Sequence, residues 1–174
     1  MNKKVLIVYF SHEGEAYAGG KIVTMEVGNT RVAAQMMEKL IGADVFRIET
    51  VNPYPYNYME TVKIAQKEQR ENARPELKGN EIDIEPYDTI ILGYPNWWGT
   101  MPMAVFTFLE SHDFAGKTIL PLCTHEGSGM GHSEADIKAV CPAARVQSGL
   151  AITGCKVSNA GKNIEKWLTL AGLM

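Results

Sequence analysis

The sequence predicts an α/β fold, a parallel sheet covered by helices on both faces, and two observations carry that prediction. Short runs rich in β-branched and aromatic residues alternate along the chain with segments of helical periodicity. Parallel neighbours need crossovers of this kind, and their right-handedness puts helices on both sides of the sheet. The first run, KKVLIVYF at positions 3–10, is apolar almost without interruption, which is the pattern of a strand buried on both faces.

The elements follow in order. NTRVAAQMMEKLIG, 29–42, reads as a helix, with Val32, Ala33, Met36, Met37 and Leu40 in one apolar stripe and Gly42 as the stop. ADVFRIE, 43–49, supplies a second strand and completes a βαβ unit. The prolines of VNPYPYNY, 51–58, exclude a regular helix, and METVKIAQKEQREN, 59–72, reads as a surface helix. DTIILGYP (88–95) is the third strand and MAVFTFLESH (103–112) a helix with Phe106 and Leu109 facing inward. KTILPLCTHE (117–126) is the fourth strand and SEADIKAVC (133–141) a helix. RVQSGLAIT (145–153) then reads as the last strand and NAGKNIEKWLTLAG (159–172) as the closing helix, so five strands are expected. With no repeat or linker, residues 1–174 are expected to form one domain.

Composition narrows the function. Hydrophobic residues at 45% and charged residues at 21% give an ordinary globular balance, and a net charge of -3 argues against a nucleic-acid binder. Cys123, Cys141 and Cys155 have no CxxC spacing, so neither a disulfide framework nor a zinc site is indicated, and a reducing cytoplasm is the expected compartment. VLIVYF is too short for an export segment, and no stretch approaches the roughly 20 apolar residues that cross a bilayer, so no membrane partner is expected.

In open α/β sheets ligands bind beyond the carboxyl ends of the strands, so the loops after strands one, three and four matter most. The first ends in Gly28, Asn29 and Thr30 at a helix start, with Ser11 just after the strand. Free helix N–H groups and hydroxyls there suit a phosphate, although Asn29 or Thr30 is equally a plain N-cap. No Walker-type lysine accompanies them. The second, PNWWGTMP, places Trp97 and Trp98 as a wall for a planar ligand or as a core plug. The third, THEGSGMG, has glycines that let backbone approach a ligand edge, or is a flexible loop with Ser128 or Ser133 capping the next helix. Together they describe an elongated, planar, phosphorylated ligand. His12, His112, His125 and His132 show no metal spacing, and His125 and Glu126 read as surface loop residues or as groups polarising a substrate.

These three loops, in this order, resemble those of the flavodoxin-like family, and the resemblance covers nearly the whole chain. It implies a three-layer sandwich with a parallel sheet of strand order 2-1-3-4-5 and flavin mononucleotide, FMN, as cofactor. Ser11, Gly28, Asn29 and Thr30 match the family's phosphate loop. Pro95, Asn96, Trp97 and Trp98 match the loop that lays an aromatic ring against the isoalloxazine. Thr124, Glu126, Gly127, Ser128 and Gly129 match the loop along the pyrimidine edge. The resemblance also implies that backbone at Trp98, Gly99 and Thr100 lies near the reactive flavin N5. Gly99 can take positive φ, which would turn a carbonyl toward that atom. The sequence departs from the family in the first loop, where roughly fifteen residues, Glu13 to Val27, separate Ser11 from Gly28, longer than usual βα loops. This reads as an insertion that covers the ring or shapes a partner surface.

The expected function is therefore an FMN-binding redox protein acting in electron transfer. The alternative is an NAD(P)H-dependent quinone or flavin reductase, and the third reading is a cofactor-free binding or regulatory domain. The mild charge and the insertion weigh against a carrier that needs an exposed flavin edge and electrostatic steering. The expected partner is a redox protein or a small-molecule electron acceptor. The aromatic content of VNPYPYNY and of the tryptophan loop suggests a homodimer.

Overall fold

The computed structural model describes residues 4–79 and 81–174, so Lys3 of the first predicted strand lies outside the described residues. The main sheet is built from β1 (Val5–Phe10), β4 (Asp44–Ile48), β5 (Thr89–Pro95), β6 (Thr118–His125), β7 (Arg145–Val146) and β8 (Leu150–Thr153). All its pairings are parallel, and the spatial order is β4-β1-β5-β6-β7, with β8 also on β6. That is the order 2-1-3-4-5 with its last strand in two pieces.

The break has a local cause. Ile119 pairs with Val146 and Leu122 with Leu150, so two residues of β6 face three of the neighbouring strand, the count of a bulge. It lies beside Pro121, which has no N–H for a ladder. A Cβ on Gly149 would press on the Pro121 carbonyl and the Met130 side chain. Off the ladder, the Gly149 N–H donates to Glu134, and the Ser148 carbonyl accepts from Trp167 Nε1 at 3.2 Å.

The helices are α1 (Asn29–Ile41), α2 (Tyr58–Arg70), α3 (Met103–Glu110), α4 (Ser133–Val140) and α5 (Gly161–Leu170). Alternate residues of β1 divide between two cores, as a strand covered on both faces requires. Leu6, Val8 and Phe10 pack with Ala104, Val105, Phe108 and Ile137 of α3 and α4. Ile7 and Tyr9 pack with Ala33, Met37, Ile164 and Leu168 of α1 and α5. The buried face of α1 is Thr30, Ala33, Ala34 and Met37, so the expected stripe is rotated and Leu40 is exposed. Leu109 is buried as expected, whereas Phe106 is half-buried. The closing helix starts later than position 159, because a 3-10 turn, Gly154–Asn159, comes first.

The insertion is ordered secondary structure rather than an irregular loop. β2 (Gly14–Ala18) and β3 (Lys21–Met25) pair antiparallel, apart from the main sheet. Gly19 and Gly20 connect them with φ of 59° and 87°, the two positive values that a two-residue hairpin turn of matching twist demands. No helix among the described residues is long and apolar enough to cross a membrane.

Candidate functional site

The carboxyl ends of β1, β5 and β6 open into a cleft of about 650 Å³. At one end lies the start of α1. Its N-cap is Gly28, in extended backbone with no side chain to cap the helix. Buried Ser11 takes over that task, its Oγ accepting from the Arg31 N–H at 3.2 Å. The two residues are interdependent, because a Cβ on Gly28 would run into Ser11 Oγ and the His12 carbonyl. Thr30 and Thr124 share a buried hydroxyl hydrogen bond of 2.9 Å, which joins the first loop to the third. The backbone N–H groups of Asn29 and Thr30 have no partner among the described residues. With the helix dipole behind them they are the donors an anion takes at a helix start.

Charges next to this end are already paired. Arg47 donates to the Ser11 carbonyl at 3.3 Å and to Glu13 at 2.5 Å, and Arg31 lies 3.5 Å from the same Glu13 carboxylate. One carboxylate between two guanidiniums leaves the amides as the main donors to an anion, and it fixes the base of the hairpin.

The other end is aromatic. Trp97 and Thr100 close a tight turn in which Trp98 and Gly99 take φ of 56° and 86°. Left-handed backbone is unfavourable for a bulky residue. Here Asn96 over-determines it, its Oδ1 accepting from the Gly99 N–H at 3.0 Å and its Nδ2 donating to the Gly129 carbonyl at 2.9 Å. The two indoles part company. Trp97 turns inward, edge-on to Phe10 at 5.2 Å and Tyr54 at 5.0 Å. Trp98 stays 45% exposed and lies along α2, its Nε1 donating to the Val62 carbonyl at 3.2 Å. Gly99 has the expected positive φ, but the carbonyls around it are engaged. The Trp98 carbonyl accepts from Gln69 Nε2 at 3.0 Å, and the Gly99 carbonyl accepts from the His132 N–H at 2.8 Å.

The third loop and the hairpin complete the walls. Glu126 Oε1 accepts from the Cys155 N–H at 2.7 Å and Oε2 from the Gly19 N–H at 3.4 Å. The Gly127 N–H donates to His125 Nδ1 at 2.9 Å. Position 132, not Ser128 or Ser133, is the N-cap of α4. Ser133 instead donates to the Met130 carbonyl and accepts from the buried Tyr94 hydroxyl.

Eleven of the fourteen residues singled out in sequence line this one cleft, while Gly28, Gly127 and Gly129 do not. Sequence reasoning missed the opposite wall, made by Glu15, Ala16, Tyr17 and Met25 of the hairpin and by Tyr58 and Val62 of α2. The Gly-Gly pair between two stretches of β-branched and aromatic residues was the available signal.

Ionisation behind the cleft is set by burial. Burial pushes the Tyr54 hydroxyl up, helped by its 2.7 Å bond to Glu68, and burial also holds Glu68 above the usual carboxylate range. Burial pushes the Cys123 thiol up to about 12 and Cys141 to about 11, while Cys155 is the exposed thiol. No group of three His, Cys, Asp or Glu side chains among the described residues could hold a metal ion.

A profile described as flavodoxin matches residues 4–170. No curated protein matches the chain. Among solved structures, a candidate flavoprotein from Bacteroides eggerthii is 27% identical, with TM-score 0.75 over 97% of this chain and 98% of that one. A flavoprotein from Lactobacillus acidophilus, solved in complex with FMN, is 20% identical, with TM-score 0.66 over 90% and 97%. Oxidised flavodoxin 1 from Bacillus cereus is 15% identical, with TM-score 0.53 over 95% and 97%. The last two likenesses are of fold alone.

Proposed function

Because the chain belongs to the flavodoxin family, we propose that its cleft binds FMN and that the protein is an electron-transfer flavoprotein. One observation carries this reading: the unpartnered N–H groups of a helix start and an exposed tryptophan line a single cleft. The donor set fits the cofactor. The free amides of Asn29 and Thr30 would hold the phosphate, with Ser11 setting the helix start and Gly28 leaving room for Ser11. Trp98 offers its ring to the isoalloxazine, and Thr124 and Ser128 line the same cleft on the β6 side. When bound, FMN supplies the capacity to take and give electrons, and the protein supplies position and surroundings. Asn96 orients the 97–100 turn, Gln69 holds the Trp98 carbonyl, and the hairpin screens the cleft from water.

Titration of FMN-free protein with FMN and with riboflavin tests the reading. The phosphate is expected to tighten binding by at least about a hundredfold, the worth of two charge-assisted hydrogen bonds. Equal affinities would remove the cradle, and no flavin binding would remove the function. Electron transfer is then read from anaerobic reduction and from reoxidation by one- and two-electron acceptors.

A second reading, an NAD(P)H-dependent reductase, is favoured by the enclosure of the cleft by β2 and β3, since a carrier gains from an exposed edge. Anaerobic bleaching of the flavin absorbance by NADPH or NADH would support it. Stable absorbance at millimolar NADPH and NADH would exclude it.

A further inference from the structure

The hairpin β2–β3 is a strap fastened along its length. At its base Glu13 binds Arg47 and Arg31. At mid-length the Glu15 N–H donates to the Tyr56 carbonyl at 2.8 Å, and the Glu15 carboxylate accepts from the Tyr58 N–H at 2.9 Å and Asn57 Nδ2 at 3.1 Å. At its tip Gly19 reaches Glu126. So tethered, the strap brings Tyr17 against Tyr58, with ring centroids 6.4 Å apart and planes 29° from parallel.

Trp98 lines the same cleft. Tyr58 and Val62 are four residues apart on α2 and so share a helix face. Trp98 is hydrogen-bonded to the Val62 carbonyl, on the turn after Tyr58. Tyr17, Tyr58 and Trp98 therefore line the α2 side of the cleft as an aromatic row in which Trp98 meets the helix at Val62 rather than the tyrosine rings. Tyr17 and Trp98 are each 45% exposed, although aromatic rings ordinarily hide most of their surface. The charge of the cleft is equally informative. No Lys or Arg lines it among the described residues, and the Glu15 carboxylate is spent on the start of α2. Nothing here would neutralise a second ligand's phosphate or carboxylate.

Resting on the FMN reading above, we propose that the aromatic row binds an uncharged planar ligand of the quinone class next to the flavin, and that Tyr17 is its specificity-determining residue. A dinucleotide would bring a diphosphate to a wall without cations, whereas a neutral bicyclic ring needs only stacking and apolar burial. The inserted strap thus selects a small planar molecule over a protein partner as the group that meets the flavin.

The test is equilibrium binding of 2-methyl-1,4-naphthoquinone to the oxidised holoprotein, followed by calorimetry, so that no electron moves. FMN affinity is measured first for the wild type, Tyr17→Ala and Tyr17→Phe. The expected result, with each protein saturated with FMN at its own measured affinity, is that Tyr17→Ala weakens the quinone about fivefold to tenfold, as loss of one stacking partner does, while Tyr17→Phe stays within about twofold. A naphthoquinone sulfonate is expected to bind at least about tenfold more weakly than the neutral quinone, from the unpaired charge. Equal quinone affinities in the wild type and Tyr17→Ala, or equal affinities for the neutral and sulfonated rings, would overturn the proposal. So would loss of FMN in Tyr17→Phe, which would make Tyr17 part of the cofactor seat. A wild-type protein that takes up no FMN overturns the preceding reading and this one with it. One that takes up FMN but no quinone overturns this one alone.

Discussion

Gly19 and Glu126 stand 107 residues apart in the chain, yet the Gly19 N–H meets the Glu126 carboxylate at 3.4 Å. This bond closes the strap on the β6 side of the cleft, and it is the longest of the strap's hydrogen bonds. Being exposed, it is worth under about 1 kcal/mol. The base, by contrast, is held by an ion-paired carboxylate between two arginines. Glu126→Ala should therefore free the tip without unfolding the strap. Stopped-flow fluorescence should show FMN binding and release both accelerated, with the equilibrium constant moving less than either rate. Unchanged rates would mean that FMN reaches the cleft by a path that the tip does not close.

Gly28 and Ser11 make the second prediction. Since a Cβ at position 28 would overlap both Ser11 Oγ and the His12 carbonyl, Gly28→Ala must displace the cap of α1 or the end of β1. Overpacking of this kind costs about 1–3 kcal/mol. The melting temperature should fall, and FMN affinity should drop by about tenfold or more, because the amides of Asn29 and Thr30 move with the cap. Ser11→Ala, which removes the cap bond and leaves the space, should cost less in stability, about 1 kcal/mol. A Gly28→Ala protein with both properties unchanged would sink the cradle.

The contrast between β1 and the hairpin shows what was legible in the sequence. The strand VLIVYF declared itself because burial on both faces leaves no room for polar residues, and Ser11 and Gly28 to Thr30 followed from the geometry of a helix start beyond such a strand. GEAYAGGKIVTM did not declare itself. One side of this hairpin faces solvent, with Ile22 50% exposed, so its composition is mixed and its fastening comes from residues more than 30 positions away, such as Tyr56 and Glu126. The roles of Trp97 and Trp98 were hidden for a related reason. They are neighbours in one turn, and the left-handed backbone at Trp98, held by Asn96, is what sends the two rings in different directions. The break between β7 and β8 depends on Pro121 in the adjacent strand, which no local pattern reveals.

The two tryptophans should separate in mutation as they do in space. Trp97 is half-buried and wedged edge-on against Phe10 and Tyr54, so Trp97→Ala should cost about 2–3 kcal/mol of stability, at or below the low end of the range for removing a large core ring. Trp98 contributes little to the core and holds an unfavourable φ, so Trp98→Ala should change stability by less than about 1 kcal/mol. Its effect belongs to the ligand: FMN should bind about fivefold to tenfold more weakly for loss of one stacking ring. Urea unfolding and flavin titration of both variants check this. A Trp98→Ala protein with wild-type FMN affinity would take that ring out of the flavin's wall.

Two glutamates should oppose each other in the pH dependence of stability. Arg74 grips Glu110 with two bonds of 2.8 Å, and these hold the Glu110 carboxyl below its ordinary value. A depressed folded-state pKa gives stability that is present above the ordinary glutamate value of about 4.3 and is lost as pH falls through the lower folded value. The pair is partly exposed and screened, so the amount is under about 1 kcal/mol. Glu68 has the opposite sign. Burial raises its pKa while the Tyr54 hydroxyl bond pulls it down. Its contribution is therefore full below about 4.3 and is lost as pH climbs from there through the raised folded value. Glu68→Gln keeps an acceptor for Tyr54 and removes the charge. Relative to the wild type it should gain stability as pH rises past that window, whereas Glu110→Gln should lose stability most at neutral pH and converge with the wild type in acid. Urea unfolding of the three proteins across the acid range decides it, and parallel curves for Glu68→Gln and the wild type would show that Glu68 titrates alike in the folded and unfolded chains.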